Sequence, residues 1–215
     1  MLRIARWIRI TPERVTTPEG VLFAERQPDA ELLVYAYRAA INDYPKFFKM
    51  DGLSRLGFVA SELLLRGAAE QRAETLDETR AVILFSRGGS VSNDRHYQTT
   101  IADPANFFPS PAIFVYTLPN IVAGEIAIRN RCCGETACYL LDAWDAETVA
   151  ERVAESFADD PTIADALVGW VDYLDAEHFE ALLLRVVRSG GAAEAADAAL
   201  KAFDAATMDE LKQIR

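Results

Sequence analysis

The stretch that most limits what this chain can fold into runs from Pro109 to Asp142 and reads PSPAIFVYTLPNIVAGEIAIRNRCCGETACYLLD. It spells a proline-rich loop, a short apolar helix, a glycine turn and an apolar strand. Pro119 suits the first turn of the helix, because its missing N–H has no partner to lose there and its φ is already helical. Ile121, Gly124 and Ile128 then share one face, and Gly124 offers a place where another backbone can come close. Arg129 to Gly134 closes the helix and leads into Ala137 to Leu141, a run short enough to be a buried strand. Helix, turn, strand and sharp exit make a frame that can carry a nucleophile.

The rest of the chain supplies strands and helices to surround that frame. Leu2 to Ile10 alternates loosely between apolar residues and arginines, as in a half-exposed strand. Thr11 to Gly20 carries two prolines and reads as a loop. Leu32, Tyr35, Ala36 and Ala39 recur at helical spacing, with Asp29 placed to cap the helix before Tyr44-Pro45 breaks it. Leu53, Leu56, Gly57, Ala60, Leu63 and Leu64 form one apolar stripe, so this helix is expected to be buried along its length. After a polar connector from Gln71 to Arg80, Ala81 to Phe85 has the unbroken apolar character of a strand covered on both faces of a parallel sheet. Ala166 to Val171 is a second such strand. Phe179 to Val187 fits a strand or a helix by period, and its ending in Ser189-Gly190-Gly191 favours a strand paired in a hairpin.

In its motifs the chain resembles the N-terminal half of the β-ketoacyl-[acyl carrier protein] synthases. The likeness rests on Ser110-Pro111, on Leu118-Pro119-Asn120-Ile121-Val122-Ala123-Gly124-Glu125-Ile126-Ala127-Ile128 and on Gly134. Lys49 to Leu56 resembles that family's lysine-methionine-aspartate segment, Ser86 to Ser90 its glycine turn, and Ala166 to Asp172 its strand after the central helix. The matches keep the family's order from Tyr44 to Asp172, which makes them more specific together than singly. The resemblance implies half of a thiolase-like fold: three α-β-α layers around a mixed, mostly parallel sheet. Pro119, Asn120, Gly124 and Gly134 would be its structural motif residues. The expected unit is 1–190, followed by a helical tail over 191–215. In that tail Ala192 to Phe203 reads as helical, and Thr207 to Glu210 as a capping box opening a last helix.

In an active synthase the strand equivalent to Ala137–Leu141 ends at an elbow bearing a cysteine, activated by the N-terminus of the next helix. Here the elbow positions fall on Asp142, Ala143 or Trp144, and no alignment of the segment brings a cysteine there. Cys138 lies too early, within the strand, where a cysteine behaves as a small hydrophobe. Asp142 and Asp145 read as caps for the helix carried by Val149, Val153 and Phe157. The alternative makes Asp142 a carboxylate nucleophile or base, although a helix N-terminus lowers its pKa and weakens it as a base. His96 and His178 stand outside every matching motif and read as surface residues. The Ser86 to Ser90 turn lacks the lysine and spacing of a phosphate-binding loop and reads as a plain strand-to-loop turn. Phe107 and Phe108 are either a pocket wall or a loop anchor.

With 215 residues, 51% of them hydrophobic and 26% charged, the chain has enough apolar material for one sizeable core. A formal charge of −11 argues against nucleic acid and anionic membrane as partners. It leaves room only for local basic patches, from Arg3, Arg6 and Arg9 or from Arg129 and Arg131, to meet an acyl carrier protein. Three cysteines give no even disulfide framework and no metal-ligand spacing with the histidines, so neither metal nor cofactor is expected, and the expected setting is a reducing cytoplasm. No apolar run approaches the length of a membrane span.

By the resemblance, the chain is expected to be a non-condensing synthase-like subunit of fatty-acid, polyketide or aryl-polyene synthesis. It would act as a chain-length-factor-like partner, as homodimer or as heterodimer with an active synthase. A degenerate acyl-thioester hydrolase or malonyl decarboxylase and a simple acyl or carrier-protein binding module are the other readings. Because the helix after the elbow packs on a counterpart half in the resembled fold, Val149, Val153 and Phe157 are expected to need a cover, either the C-terminal tail or, as an interface, a second copy of the chain or a different synthase subunit.

Overall fold

The computed structural model describes residues 1–24, 31–67, 75–190 and 200–214. The chain runs β1 (Leu2–Ile10), β2 (Arg14–Thr17), β3 (Gly20–Ala24), α1 (Leu32–Ala40) and α2 (Gly52–Gly67). It continues with β4 (Arg80–Ser86), α3 (Val91–Thr99), α4 (Pro111–Phe114), α5 (Ile121–Asn130) and β5 (Thr136–Leu140). The last elements are α6 (Ala146–Asp159), β6 (Asp165–Asp175), β7 (His178–Arg188), β8 (Lys201–Ala202) and α7 (Ala205–Lys212).

All strands belong to one sheet in the order β3-β2-β1-β7-β6-β4-β5, with β8 beside β1. β4 is parallel to both β5 and β6, while β7 runs antiparallel to β6 on one side and to β1 on the other. Four strands (β1, β6, β4, β5) therefore point one way and β7 alone reverses among them; the sheet is mixed but not mostly parallel, because only the β4–β5 and β4–β6 pairings are parallel among the described strands. Alternation along each strand feeds two apolar layers. Ile8, Leu84, Leu167 and Leu183 pack under α1, α2 and α5, whereas Ile83, Val168, Trp170 and Leu184 pack under α6 and α7. The result is the three-layer α-β-α arrangement expected.

Several expectations change with the packing. β1 is an interior strand and largely buried, because β7 covers one side and the β2–β3 hairpin and β8 share the other. The proline-bearing segment after it is not all loop, since β2 forms within it. Helix α1 stops at Ala40, and the residue after its C-cap, Asn42, takes a positive φ of 48°. Asp29, Gln71 to Glu74 and Ala192 to Ala199 lie outside the described residues. Lys201 and Ala202 pair with β1 rather than continue a helix, and the final helix opens at Ala205 on Asp204, whose carboxylate accepts from Thr207 N.

Pro119 is not in the first turn of α5; it precedes Asn120, the N-cap. Of the face of α5 carrying Ile121, Gly124 and Ile128, only the last two look outward: Ile128 is 66% exposed and a Cβ built on Gly124 meets no atom of another element within 4 Å, while Ile121 is half-buried against the core. Helix α5 instead buries Val122, Ala123 and Ile126. The close approach comes from the opposite helix, where a Cβ on Gly57 of α2 would stand 2.3 Å from Val122 Cγ2. Gly134 is required for a different reason, since a Cβ there would meet the Arg80 carbonyl oxygen at 2.5 Å.

Helix α6 buries Val149, Val153 and Phe157 completely, against its own sheet and α7. The stripe is thus not an interface, because the chain supplies its cover. The outer side of α6 carries Glu147, Glu151 and Glu155, spaced one turn apart in water.

Candidate functional site

β1, β4, β5 and β6 are parallel, so their carboxyl ends gather at one end of the sheet, the usual location of sites in open α/β folds. Two loops meet there: Leu141 to Asp145 after β5, and Ser86 to Ser90 after β4.

The first loop holds the elbow positions. Asp142 and Ala143 are exposed and Trp144 is half-buried. The cap of α6 is Asp145 alone, accepting from Glu147 N at 3.1 Å and Thr148 N at 3.2 Å. Hydrogen bonds from the Thr148 side chain and backbone hold its carboxyl below the usual range. Asp142 takes no part in that cap. An open cleft of about 630 Å³ borders the loop, lined among others by Asp142, Trp144, Asp145, Glu147 and Asp209. Trp144 stands edge-on to Trp170 at 6.1 Å between ring centroids, and its indole N–H donates to Asp209 of α7 at 2.7 Å. Lys212 lies 5.8 Å from the Trp144 ring and 6.0 Å from the Trp170 ring, and pairs with Glu180, which also pairs with Arg9 at 2.6 Å.

No thiol reaches the elbow. The half-buried Cys138 lies in mid-strand with Sγ directed at the Pro119 carbonyl at 3.4 Å, and burial pushes its thiol up to about 11. Burial pushes Cys132 up to about 12. A nucleophilic cysteine needs the opposite shift, toward the thiolate. His96 and His178 are both exposed, His178 bonding only to Asp175 in the turn between β6 and β7. Among the described residues no group of three His, Cys, Asp or Glu side chains is placed to hold a metal ion.

The second loop is closed by a residue whose role the motif reading did not single out. Asp172 Oδ1 accepts from Ser86 Oγ at 3.1 Å, Arg87 N at 3.1 Å and Gly88 N at 2.8 Å. Its only signal in the sequence is an acid at the end of an apolar strand, far from the glycines it serves. A free phosphate is not needed to order this turn, because the donors are already taken.

The third feature is an open sheet edge. Among the described residues β5 pairs only with β4, so it is a terminal strand and not the buried strand expected. The Phe107 to Leu118 segment leads to Pro119, whose carbonyl faces Cys138 Sγ of β5 at 3.4 Å. Phe107 is 57% exposed, Phe108 75%, Phe114 53% and Leu118 54%, with Leu140 at the end of β5 at 56%. Phe107 and Phe108 therefore do not anchor their loop by burial. Exposed apolar side chains next to unpaired strand N–H and C=O groups are what a partner covers. The basic residues considered for an acidic partner are partly spent inside: Arg9 is buried, and Arg129 is buried between Glu62 and the Tyr44 ring, 4.7 Å from its centroid.

No single helix among the described residues is long and apolar enough to cross a membrane. No family model matches the chain, nor does any curated protein. Solved structures do. One is described as the ishigamide ketosynthase/chain length factor, 19% identical with a TM-score of 0.63 over 87% of this chain and 62% of that one. A second is the ketosynthase ApeO in complex with its chain length factor ApeC from Xenorhabdus doucetiae, 16% identical, TM-score 0.55, covering 89% and 80% of the two chains. A third is AntDE:AntF, a type II PKS acyl-carrier protein in complex with its ketosynthase, 14% identical, TM-score 0.57, covering 91% and 65%. The chain spans less than two thirds of the length of the first. These likenesses establish that the fold is thiolase-like.

Proposed function

We propose that this thiolase-fold chain is a non-condensing β-ketoacyl synthase-like subunit that pairs with an active synthase, in the manner of a chain length factor. The observation that carries the reading is the loop between β5 and α6: it holds no cysteine, and Asp142, Ala143 and Trp144 occupy the positions that the resemblance assigns to the nucleophile. Both half-buried and buried thiols, Cys138 and Cys132, are shifted away from reactivity. The structural neighbours support the partner role, because they are described as ketosynthases with chain length factors. The open edge of β5 and the apolar ledge from Phe107 to Leu118 are the face such a synthase would cover. Residues 1–190 act in this reading as the synthase-like unit and 191–215 as its own cover. The pathway is fatty-acid, polyketide or aryl-polyene synthesis, in the cytoplasm, with an acyl carrier protein as the further partner over a narrow contact.

Co-expression with each candidate ketosynthase from its gene neighbourhood tests this. The expected result is a stoichiometric complex whose product chain length shifts when Phe107 or Phe108 is replaced. A chain that stays monomeric at high concentration and binds no neighbouring synthase overturns it.

A further inference from the structure

The turn from Ser86 to Gly89 is built like an anion-binding site, and the anion in it belongs to the same molecule. Consecutive backbone N–H groups of Arg87 and Gly88 converge on Asp172 Oδ1 at 3.1 and 2.8 Å, and Ser86 Oγ joins them at 3.1 Å. Gly89 N in turn donates to Ser86 Oγ at 3.0 Å. Successive N–H groups aimed at one oxygen are the arrangement by which proteins hold phosphate and carboxylate ligands. The Arg87 guanidinium, 3.5 Å from Asp172 Oδ2, completes the positive surroundings.

The same turn carries the end of the open edge strand. The Ser86 carbonyl accepts from Leu141 N at 3.0 Å. Gly89, with φ of +51°, sits so close to its neighbours that a Cβ would come within 3.0 Å of Pro119 Cβ and 3.1 Å of Leu140 Cδ2. Ser90 Oγ donates to the Thr117 carbonyl at 2.7 Å. The conformation of the turn is therefore passed directly to Leu140, Leu141 and the Thr117–Pro119 corner, which border the exposed ledge.

We propose that Asp172 is a built-in carboxylate ligand of the Ser86–Gly89 turn, and through it the positioning residue for the partner face. Its effect on pairing rests on the chain-length-factor reading; its role as ligand of the turn does not. A cleft of about 350 Å³ lined by Arg87, Asp172, His178 and Glu180 gives a free carboxylate access to the emptied turn when the side chain is removed.

The test is chemical rescue of Asp172→Ala. Thermal unfolding is followed in sodium acetate and in sodium chloride of equal ionic strength, for the wild type, Asp172→Ala and Asp172→Asn. Acetate is expected to raise the melting temperature of Asp172→Ala saturably and to leave the wild type unmoved, with Asp172→Asn, which keeps a carbonyl acceptor, near wild type without rescue. Pairing with the synthase is expected to weaken roughly tenfold in Asp172→Ala and to recover in acetate. Acetate acting no better than chloride overturns the ligand role. Rescue of melting without recovery of pairing overturns the positioning role. A wild type that never pairs overturns the functional reading and leaves the acetate effect to be judged by itself. Should Asp172→Ala not fold in chloride, refolding in acetate but not in chloride is the supporting outcome, and failure in both, with Asp172→Ser equally unrescued, the overturning one.

Discussion

Asp209 accepts the indole N–H of Trp144 at 2.7 Å, so the last helix is fastened to the loop between β5 and α6. Asp209→Ala is expected to cost about 1 kcal/mol, the usual net value of one such hydrogen bond, with Asp209→Asn close to wild type because it keeps an acceptor. Tryptophan emission moving to longer wavelength in the alanine variant, and not in the asparagine one, checks this.

Asp165 joins three strands. Buried at the start of β6, it accepts from Arg80 Nε and Nη2 at 2.8 and 2.7 Å and from Arg185 Nε at 2.8 Å. Asp165→Ala removes the buried carboxylate that Arg80 and Arg185 share and is expected to cost about 3–5 kcal/mol in urea unfolding. Burial pushes this carboxyl up, but hydrogen bonds and charge from Arg80, then Arg185, outweigh it and hold the folded value low. A folded value below the unfolded one gives stability that is complete above the unfolded carboxyl, roughly pH 4, and is lost as pH falls through the lowered value. The stability gap between wild type and Asp165→Asn is therefore expected to narrow in acid.

Two helical glycines are expected to respond in opposite directions to alanine. Gly57→Ala drives a methyl into Val122, costing about 1–3 kcal/mol of overpacking against about 1 kcal/mol of helix propensity gained. Gly124→Ala meets no atom within 4 Å and is expected to gain up to about 1 kcal/mol. Melting temperatures of the pair decide the matter.

Alkylation should follow burial. The exposed Cys133 is expected to react first at pH 8, while Cys138, with its thiol near 11, presents roughly a thousandth of its population as thiolate and speeds up as pH rises. Mass spectrometry of the protein after incubation with acyl thioesters is expected to show no acyl adduct on any cysteine, and hydrolysis no faster than in Asp142→Ala.

Phe108 is expected to separate folding from pairing. At 75% exposure, Phe108→Ser should leave unfolding free energy within about 0.5 kcal/mol of wild type. The same change is expected to weaken the synthase complex about tenfold, as read by titration against the purified partner.

Much of the frame was legible because each element carried its own period. The α2 stripe from Leu53 to Leu64 and the apolar runs of β4 and β6 came out where residue pattern alone put them. What pattern does not carry is the identity of the cover. The α6 stripe at Val149, Val153 and Phe157 was visible, but nothing local chose among the C-terminal tail, a second copy and another subunit as its cover; β4, β6 and α7 of the chain itself hide it. A five-residue apolar run such as β5 likewise does not say whether one side or two are paired. Helix α5 is apolar on nearly every side, so Ile121, Gly124 and Ile128 competed on equal terms with Val122, Ala123 and Ile126 until Gly57 decided the face. Asp172 escaped notice because its partners lie over eighty positions earlier and only the sheet brings them together.

The lone reversed strand, β7, has a consequence for how the protein is made. The first strand finds its main neighbour in Ala181 to Arg188, so during synthesis one edge of Leu2 to Ile10 stays unsatisfied until β7, far along the chain, has left the ribosome. The sheet cannot be finished strand by strand in the order of synthesis; β1 is made before β4, β5 and β6 yet is locked in place only after them.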